Sequence, residues 1–360
     1  MVAGMRRARN VFAALALIAA SVALGLGALE LFTRLVVGTP WPERMPLARV
    51  VADPVLGFRM LPHDRHYTYD IPVRLNALGF RGPEVPAKEA QEYRIAVFGD
   101  SHVYGQGIAD DDLVTAVMEG TLNADPSARC RYRVVNLGVR AYSTNQELAL
   151  LGEIGPRLAP DHVVVFFYVN DFDPVNVARR YAEYRRLDWY MFDISGKPEG
   201  WRLDQWNRIQ MLRRSAFVMW AHDLYRAATA ETTLEERVLR GNRDAAVDAA
   251  IDRAAALIAD FAKLAGEIGA AFTLVAVPHT GQIRGGSPES RYPKDLRDFA
   301  ERNGMAFHDL RPALAAAFPD GPLPLIPFDG HYDARGQRAM GEAVAARLRL
   351  PPGAGARCGS

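Results

Sequence analysis

Four short apolar runs, 94–98, 133–137, 163–168 and 272–277, constrain most strongly what this chain can fold into. They are rich in Val, Ile and Phe and do not alternate with polar residues. Between and after them lie stretches with helical spacing of apolar positions: 111–122, 145–153, 243–268, 294–303 and 336–349. A strand apolar at nearly every position has to be covered on both faces, and strands that alternate with helices are joined by crossovers. The expected fold class is therefore α/β, a three-layer α/β/α arrangement with a central parallel sheet, over residues 93–350. A length of 360 residues, 49% of them hydrophobic, supplies ample material for such a core.

The N-terminus adds a second element. Arg6, Arg7 and Arg9 precede "NVFAALALIAASVALGLGALE", about twenty residues without a charge before Glu30, which is the length of helix that crosses a bilayer core. The upstream arginines predict an N-terminus left in the cytoplasm and the rest of the chain exported. A cleaved signal peptide is the competing reading, with "LGLGALE" as a weak small-residue cleavage site. The apolar pattern runs on through "LFTRLVVG", which favours an uncleaved single-pass anchor. The expected organisation is a cytoplasmic segment 1–9, an anchor 10–37, a connector with short strands 38–92, the main domain 93–350 and a disordered tail 351–360. Within the main domain, 174–232 departs from the alternation. Its aromatics and arginines suit either a helical hairpin on the sheet edge or a cap over a site. A formal net charge of +1 gives no sign of a nucleic-acid binder. Cys130 and Cys358 have no metal-ligand spacing, and a disulfide between them is left open.

The ends of the apolar runs carry the chemistry. The first run stops at "GDS", with Ser101 at the tip. Gly138 follows the second, Asn170 and Asp171 follow the third, and Asp329 and His331 precede the last helix. Gly, Asp and Ser are ordinary turn residues, so the tripeptide alone decides little. Taken together the residues have distinct capacities. A serine hydroxyl needs an adjacent base to act as a nucleophile, and His331 is the candidate. An imidazole in that role needs a carboxylate to fix its tautomer, and Asp329 is nearest in sequence, with Asp333 as the substitute. The backbone N–H groups of Ser101 and Gly138 and the side-chain amide of Asn170 can stabilise an oxyanion. His279, just past a strand end, and His102, Tyr142 and Asn145 are candidates for substrate contact. Asp100 and Asp171 are expected to bond backbone in their turns.

"GDS" at 99–101, Gly138 after a strand, Asn170 in "VND" and the late Asp-His pair resemble, in order, the four blocks of the SGNH (GDSL-like) hydrolase family. The resemblance covers residues 93 to about 350. It implies a nucleophile at Ser101, oxyanion donors at Gly138 and Asn170, and a base at His331. "LNALGFRGPE" and "ELFTR" look like the membrane-anchored branch found in bacterial envelopes. Two departures stand out: the last block is Asp-x-His rather than Asp-x-x-His, and Tyr168 occupies a usual glycine place. The resemblance implies a serine esterase facing the periplasm or cell exterior of the inner membrane, acting on an O-acetylated envelope or secreted polysaccharide. It implies no cofactor, metal or nucleic-acid partner. The alternatives are a polysaccharide O-acetyltransferase using the same acyl-enzyme, and a non-catalytic glycan-binding or assembly factor on the same scaffold.

Overall fold

The structure, a computed structural model, describes residues 2–44, 46–126, 130–184, 189–190, 208, 211–286 and 288–348. Its strands are β1 (Arg49–Asp53), β2 (Gly57–Met60), β3 (Arg65–Thr68), β4 (Ile71–Arg74), β5 (Glu92–Phe98), β6 (Arg131–Asn136), β7 (His162–Phe167), β8 (Trp189–Tyr190), β9 (Ala271–Ala276) and β10 (Ala306–Asp309). Its α-helices are α1 (Val2–Val36), α2 (Ser101–Tyr104), α3 (Val114–Asn123), α4 (Thr144–Leu158), α5 (Val177–Tyr184), α6 (Ala216–Thr229), α7 (Leu234–Leu239), α8 (Ala245–Glu267), α9 (Lys294–Arg302), α10 (Arg311–Ala317) and α11 (Ala334–Leu348). The chain divides into two compact units, one of 1–42, 198–230 and 327–329, the other of 43–197, 231–326 and 330–360.

The larger unit is built on a five-stranded sheet in the order β10-β9-β7-β5-β6. Every pairing in it is parallel. The four expected strands are all present. β10 is additional: it has four residues, ends in His308 and Asp309, and lies at the edge, so it carries little of the continuous apolar signal. Val97 pairs with both Asn136 and Val164, which brings the carboxyl ends of β5, β6 and β7 level. In open sheets of this kind ligands bind beyond those ends.

Side chains alternate across the sheet and each face has its own cover. Ile95, Val97, Val164 and Phe166 pack with Val114 and Met118 of α3 and with Met340 and Val344 of α11. Ala96, Phe98, Val165 and Phe167 pack with Leu150 of α4 and with Ile251, Ile258 and Phe261 of α8. α3 and α11 meet at Gly341, where a Cβ would lie 2.8 Å from Val117 Cβ and 2.9 Å from Val114 O. That close approach matters to function, because α11 follows directly on His331.

Residues 43–92 belong to this unit. β1 and β2 pair antiparallel, β8 extends the same small sheet, and β3 and β4 form a second antiparallel pair. Segment 174–232 is divided between the units. In the larger one Tyr184 of α5 packs its ring 4.9 Å from Phe58 of β2. α6 belongs with α1 in the smaller unit. Most of the stretch 185–207 within that segment lies outside the described residues, as do the tail 351–360 and Cys358. Cys130 is disulfide-bonded. Residues Arg9–Val36 of α1 are long and apolar enough to cross a membrane and present their apolar side chains outward.

Candidate active site

β5 delivers its last residue into a turn with no spare room. A Cβ on Gly99 would lie 2.4 Å from Val103 Cγ2, so only glycine lets the chain pass from strand to helix here. Asp100 caps α2, its Oδ1 accepting the His102 N–H at 2.8 Å. Ser101 is therefore the first residue of α2, where a backbone N–H has no intrahelical partner and points forward. Gly105, at φ 80°, ends the helix after one turn and donates its N–H to the Ser101 carbonyl.

The half-buried Ser101 hydroxyl lies 2.7 Å from His331 Nε2. For that nitrogen to accept the serine proton, the imidazole must carry its own proton on Nδ1. Asp329 stands two residues before His331 in the turn that Gly330 (φ 87°) makes. The substitute orienter, Asp333, is committed elsewhere. Its Oδ1 accepts the Arg335 N–H at 2.9 Å and the Gly336 N–H at 3.2 Å, and its Oδ2 pairs with the Arg335 guanidinium at 2.8 Å. It caps α11.

Asn170 sits exposed in a short 3₁₀ turn after β7. Its Nδ2 donates to Asp100 Oδ2 at 2.9 Å, so one carboxylate holds both the start of α2 and the Asn170 amide. Asp171, buried beneath, accepts the Tyr168 N–H at 2.9 Å. Gly138 is required for space: a Cβ there would lie 2.2 Å from Tyr104 N. Its N–H is donated to Asn136 Oδ1 at 2.9 Å. The Asn136 side chain, itself held to Val103 O and Thr115, takes that hydrogen into the protein.

The expected substrate contacts divide. His102 is buried rather than facing solvent, among the rings of Tyr168, His331 and Tyr332. Its ring packs 4.4 Å from Tyr168, 5.0 Å from His331 and 5.7 Å from Tyr332, centroid to centroid, and Gln337 takes its carbonyl. Tyr142 is also buried, its hydroxyl donating to Phe58 O at 2.5 Å, so it braces the small sheet and has no surface to offer a substrate. Asn145 donates to Val175 O and accepts the Val175 N–H, which ties two loops together. His279 is half-buried and stacked at 6.3 Å on Tyr168. Burial holds its imidazole below the ordinary value, and Nδ1 accepts the Gly281 N–H.

Several residues around the site are not signalled by any motif. Gln337 of α11 accepts the Val114 N–H at 2.9 Å and donates to His102 O at 2.9 Å, clamping α2, α3 and α11 together. Glu147 of α4 is fully buried; burial first, then the neighbouring Asp171 and Asp100, pushes its carboxyl well above the ordinary value. Asp171 is raised in the same way by burial and by Asp100, and Glu235 of α7 by burial and Asp100. The connector supplies the other supports. Arg81, inside "LGFRGPE", is buried and donates to the carbonyls of Tyr104, Gly105 and Ile108, the exit of α2. His66 bridges Asp64, at 3.1 Å, and the Tyr104 hydroxyl, at 2.6 Å.

A serine–histidine pair at the carboxyl ends of a helix-covered parallel sheet defines an α/β/α hydrolase of the SGNH fold. The chain belongs to the GDSL-like Lipase/Acylhydrolase family, which it matches over residues 97–339. Solved structures similar to it include TesA, 15% identical, covering 71% of this chain and 98% of that one with a TM-score of 0.43. A catalytic mutant of Axe2, an acetylxylan esterase from Geobacillus stearothermophilus, is 15% identical, with 72% and 95% covered and a TM-score of 0.40. The esterase EstA from Pseudoalteromonas sp. is 11% identical, with 72% and 100% covered and a TM-score of 0.39. No curated protein matches the sequence.

Proposed function

We propose that this member of the hydrolase family is a membrane-anchored, extracytoplasmic serine esterase that removes O-acetyl groups from a cell-envelope or secreted polysaccharide. The observation that carries the reading is the 2.7 Å approach of Ser101 Oγ to His331 Nε2. In the reaction, the Ser101 proton passes to His331 Nε2 as Oγ bonds to the ester carbon. The oxyanion that forms is stabilised by the Ser101 N–H and by the second Nδ2 hydrogen of Asn170, the first being held by Asp100. Collapse breaks the ester C–O bond, and the departing sugar oxygen takes the proton from His331 and leaves as a hydroxyl. Water then attacks the acyl-enzyme, His331 accepting its proton and returning it to Ser101 as acetate leaves. Asp329 orients the imidazole.

A short acyl group is favoured by the rings of Tyr168 and His279 stacked beside the nucleophile turn. Retention of α1 is favoured by Glu30, whose carboxylate accepts hydrogen bonds from Ser215, Ala216 and Phe217, contacts that removal of the N-terminal segment would break. The test is incubation of the full-length protein with an acetylated glycan, with intact-mass analysis of Ser101 and measurement of free acetate. An acetyl adduct at Ser101 with acetate release is expected. Acetyl transferred to a hydroxyl of added glycan, in place of acetate release, would make the protein a transferase. No adduct and no fluorophosphonate labelling would leave a non-catalytic scaffold.

A further inference from the structure

Among the described residues, α6 is amphipathic and carries an exposed apolar face. Phe217, Trp220, Ala221, Leu224, Tyr225 and Ala228 follow the spacing i, i+3, i+4, i+7, i+8 and i+11, which places them on one face of the helix. Trp220 is 43% exposed, Leu224 57% and Tyr225 66%, and Met211 and Leu212 just before the helix are exposed too. The Phe217 and Trp220 rings lie 6.2 Å apart on this face. His222 and Arg226 stand on the other side. Such an apolar face on a two-faced helix is the pattern of a helix lying in a membrane–water boundary.

The neighbour of α6 says at what depth it would lie. Glu30 of α1 caps its first turn: Oε2 accepts from Ser215 Oγ at 2.7 Å and from Phe217 N at 3.0 Å, and Oε1 from Ala216 N at 3.0 Å. Arg34 reinforces the joint, pairing with Glu30 at 2.6 Å and donating to Arg214 O at 2.7 Å. Between Arg9 and Glu30 the helix has no charge, and that stretch rises about 30 Å, the thickness of a bilayer's hydrocarbon core. Glu30 therefore marks the far boundary of the core, and its bonds fix the start of α6 at that level. Leu31, Phe32 and Leu35 of α1 are exposed at the same height. The charges complement a phospholipid surface: among the described residues of 208–230, Arg208, Arg213, Arg214 and Arg226 stand against the single acid Asp223. Trp and Tyr are the side chains that concentrate at this depth.

We infer that α6 lies in the outer interface of the membrane that α1 spans, its Trp220–Leu224–Tyr225 face among the lipids and its arginines on anionic headgroups. The inference rests on the reading of α1 as a retained anchor. It makes the attachment two-point, a spanning helix and an interfacial one joined at Glu30. This gives part of segment 174–232 a partner other than a glycan.

The experiment uses the full-length protein in nanodiscs of phosphatidylcholine and phosphatidylglycerol, with and without bromine on the acyl chains. Subtracting the emission of Trp220→Phe isolates Trp220. At least twofold quenching of that component by brominated lipid is expected. In Leu224→Glu/Tyr225→Glu the quenching should vanish while disc incorporation and ester hydrolysis persist. A chain that fails to enter discs refutes the anchor, and this inference with it. A chain that enters them with Trp220 unquenched overturns the interfacial helix alone. Shielding of Trp220 seen only in native membranes points to a protein neighbour instead, and equally overturns it.

Discussion

Asp100 touches two parts of the site, and replacing it separates them. Its Oδ1 caps α2 and its Oδ2 holds the Asn170 amide. In Asp100→Ala the lost cap costs about 1 kcal/mol of stability. The lost hydrogen bond to a charged group is worth about 1.5–3 kcal/mol. If that energy serves to keep the amide aimed at the oxyanion, kcat falls between about tenfold and about 150-fold. Asn170→Ala removes the donor itself and lowers kcat by roughly 10²–10³, with little change in KM because the bond matters most in the transition state. The double variant is decisive. If Asp100 acts on the reaction through Asn170, Asp100→Ala adds nothing further to the kcat loss once Asn170 is alanine. The assay is steady-state hydrolysis of a small acetyl ester by the four proteins of the cycle, with Tm recorded in parallel. An equal kcat penalty in both backgrounds would refute the reasoning. It would mean that Asp100 acts directly on Ser101, whose Oγ lies 3.4 Å from its Oδ2.

Three further expectations follow from the same geometry. Asp329→Asn should lower turnover by roughly 10²–10⁴ by loosening control of the His331 tautomer, while Asp333→Asn, which only weakens the cap of α11, should stay within a few-fold of wild type; the reverse result would exchange their roles. Arg81→Lys should lower stability by about 2–4 kcal/mol in chemical denaturation, because one ammonium cannot serve the carbonyls of Tyr104, Gly105 and Ile108 together; a loss below about 0.5 kcal/mol would show that these carbonyls find other partners. Burial pushes the His162 imidazole from 6.5 down to about 4. Its neutral form is thus favoured in the folded state, so its contribution is complete above pH 6.5 and is lost as pH falls toward 4. The loss is about 3 kcal/mol, and His162→Gln should flatten the stability–pH curve by that amount over this window.

The sequence by itself determined the sheet and the Gly99–Ser101 turn, because both are written locally. A strand buried on two faces must be apolar throughout, so β5, β6, β7 and β9 declare themselves. β10, with four residues at the sheet edge, does not. Gly99 is fixed by a close approach one turn away in the chain, and Asp100 by the cap it makes two residues on. Order along the chain was enough to nominate Ser101 and His331. Only the tertiary structure decided what faces the site and what lies beneath it. His102, Tyr142 and Asn145 stand near the motifs in sequence, yet their side chains are spent on packing and loop bonds. The reason is that a residue's surroundings come from distant segments: Gln337, which meets the His102 carbonyl, and Phe58, which meets the Tyr142 hydroxyl, lie more than two hundred and about eighty residues away in the chain. The same holds for Asn136, which takes the Gly138 N–H, and for Arg81, whose carbonyl partners lie more than twenty residues on. It holds most clearly for Glu30, an acid at the end of an apolar helix whose partners lie some 185 residues further along. Local propensity carries no record of such partners, and packing alone brings them within bonding distance.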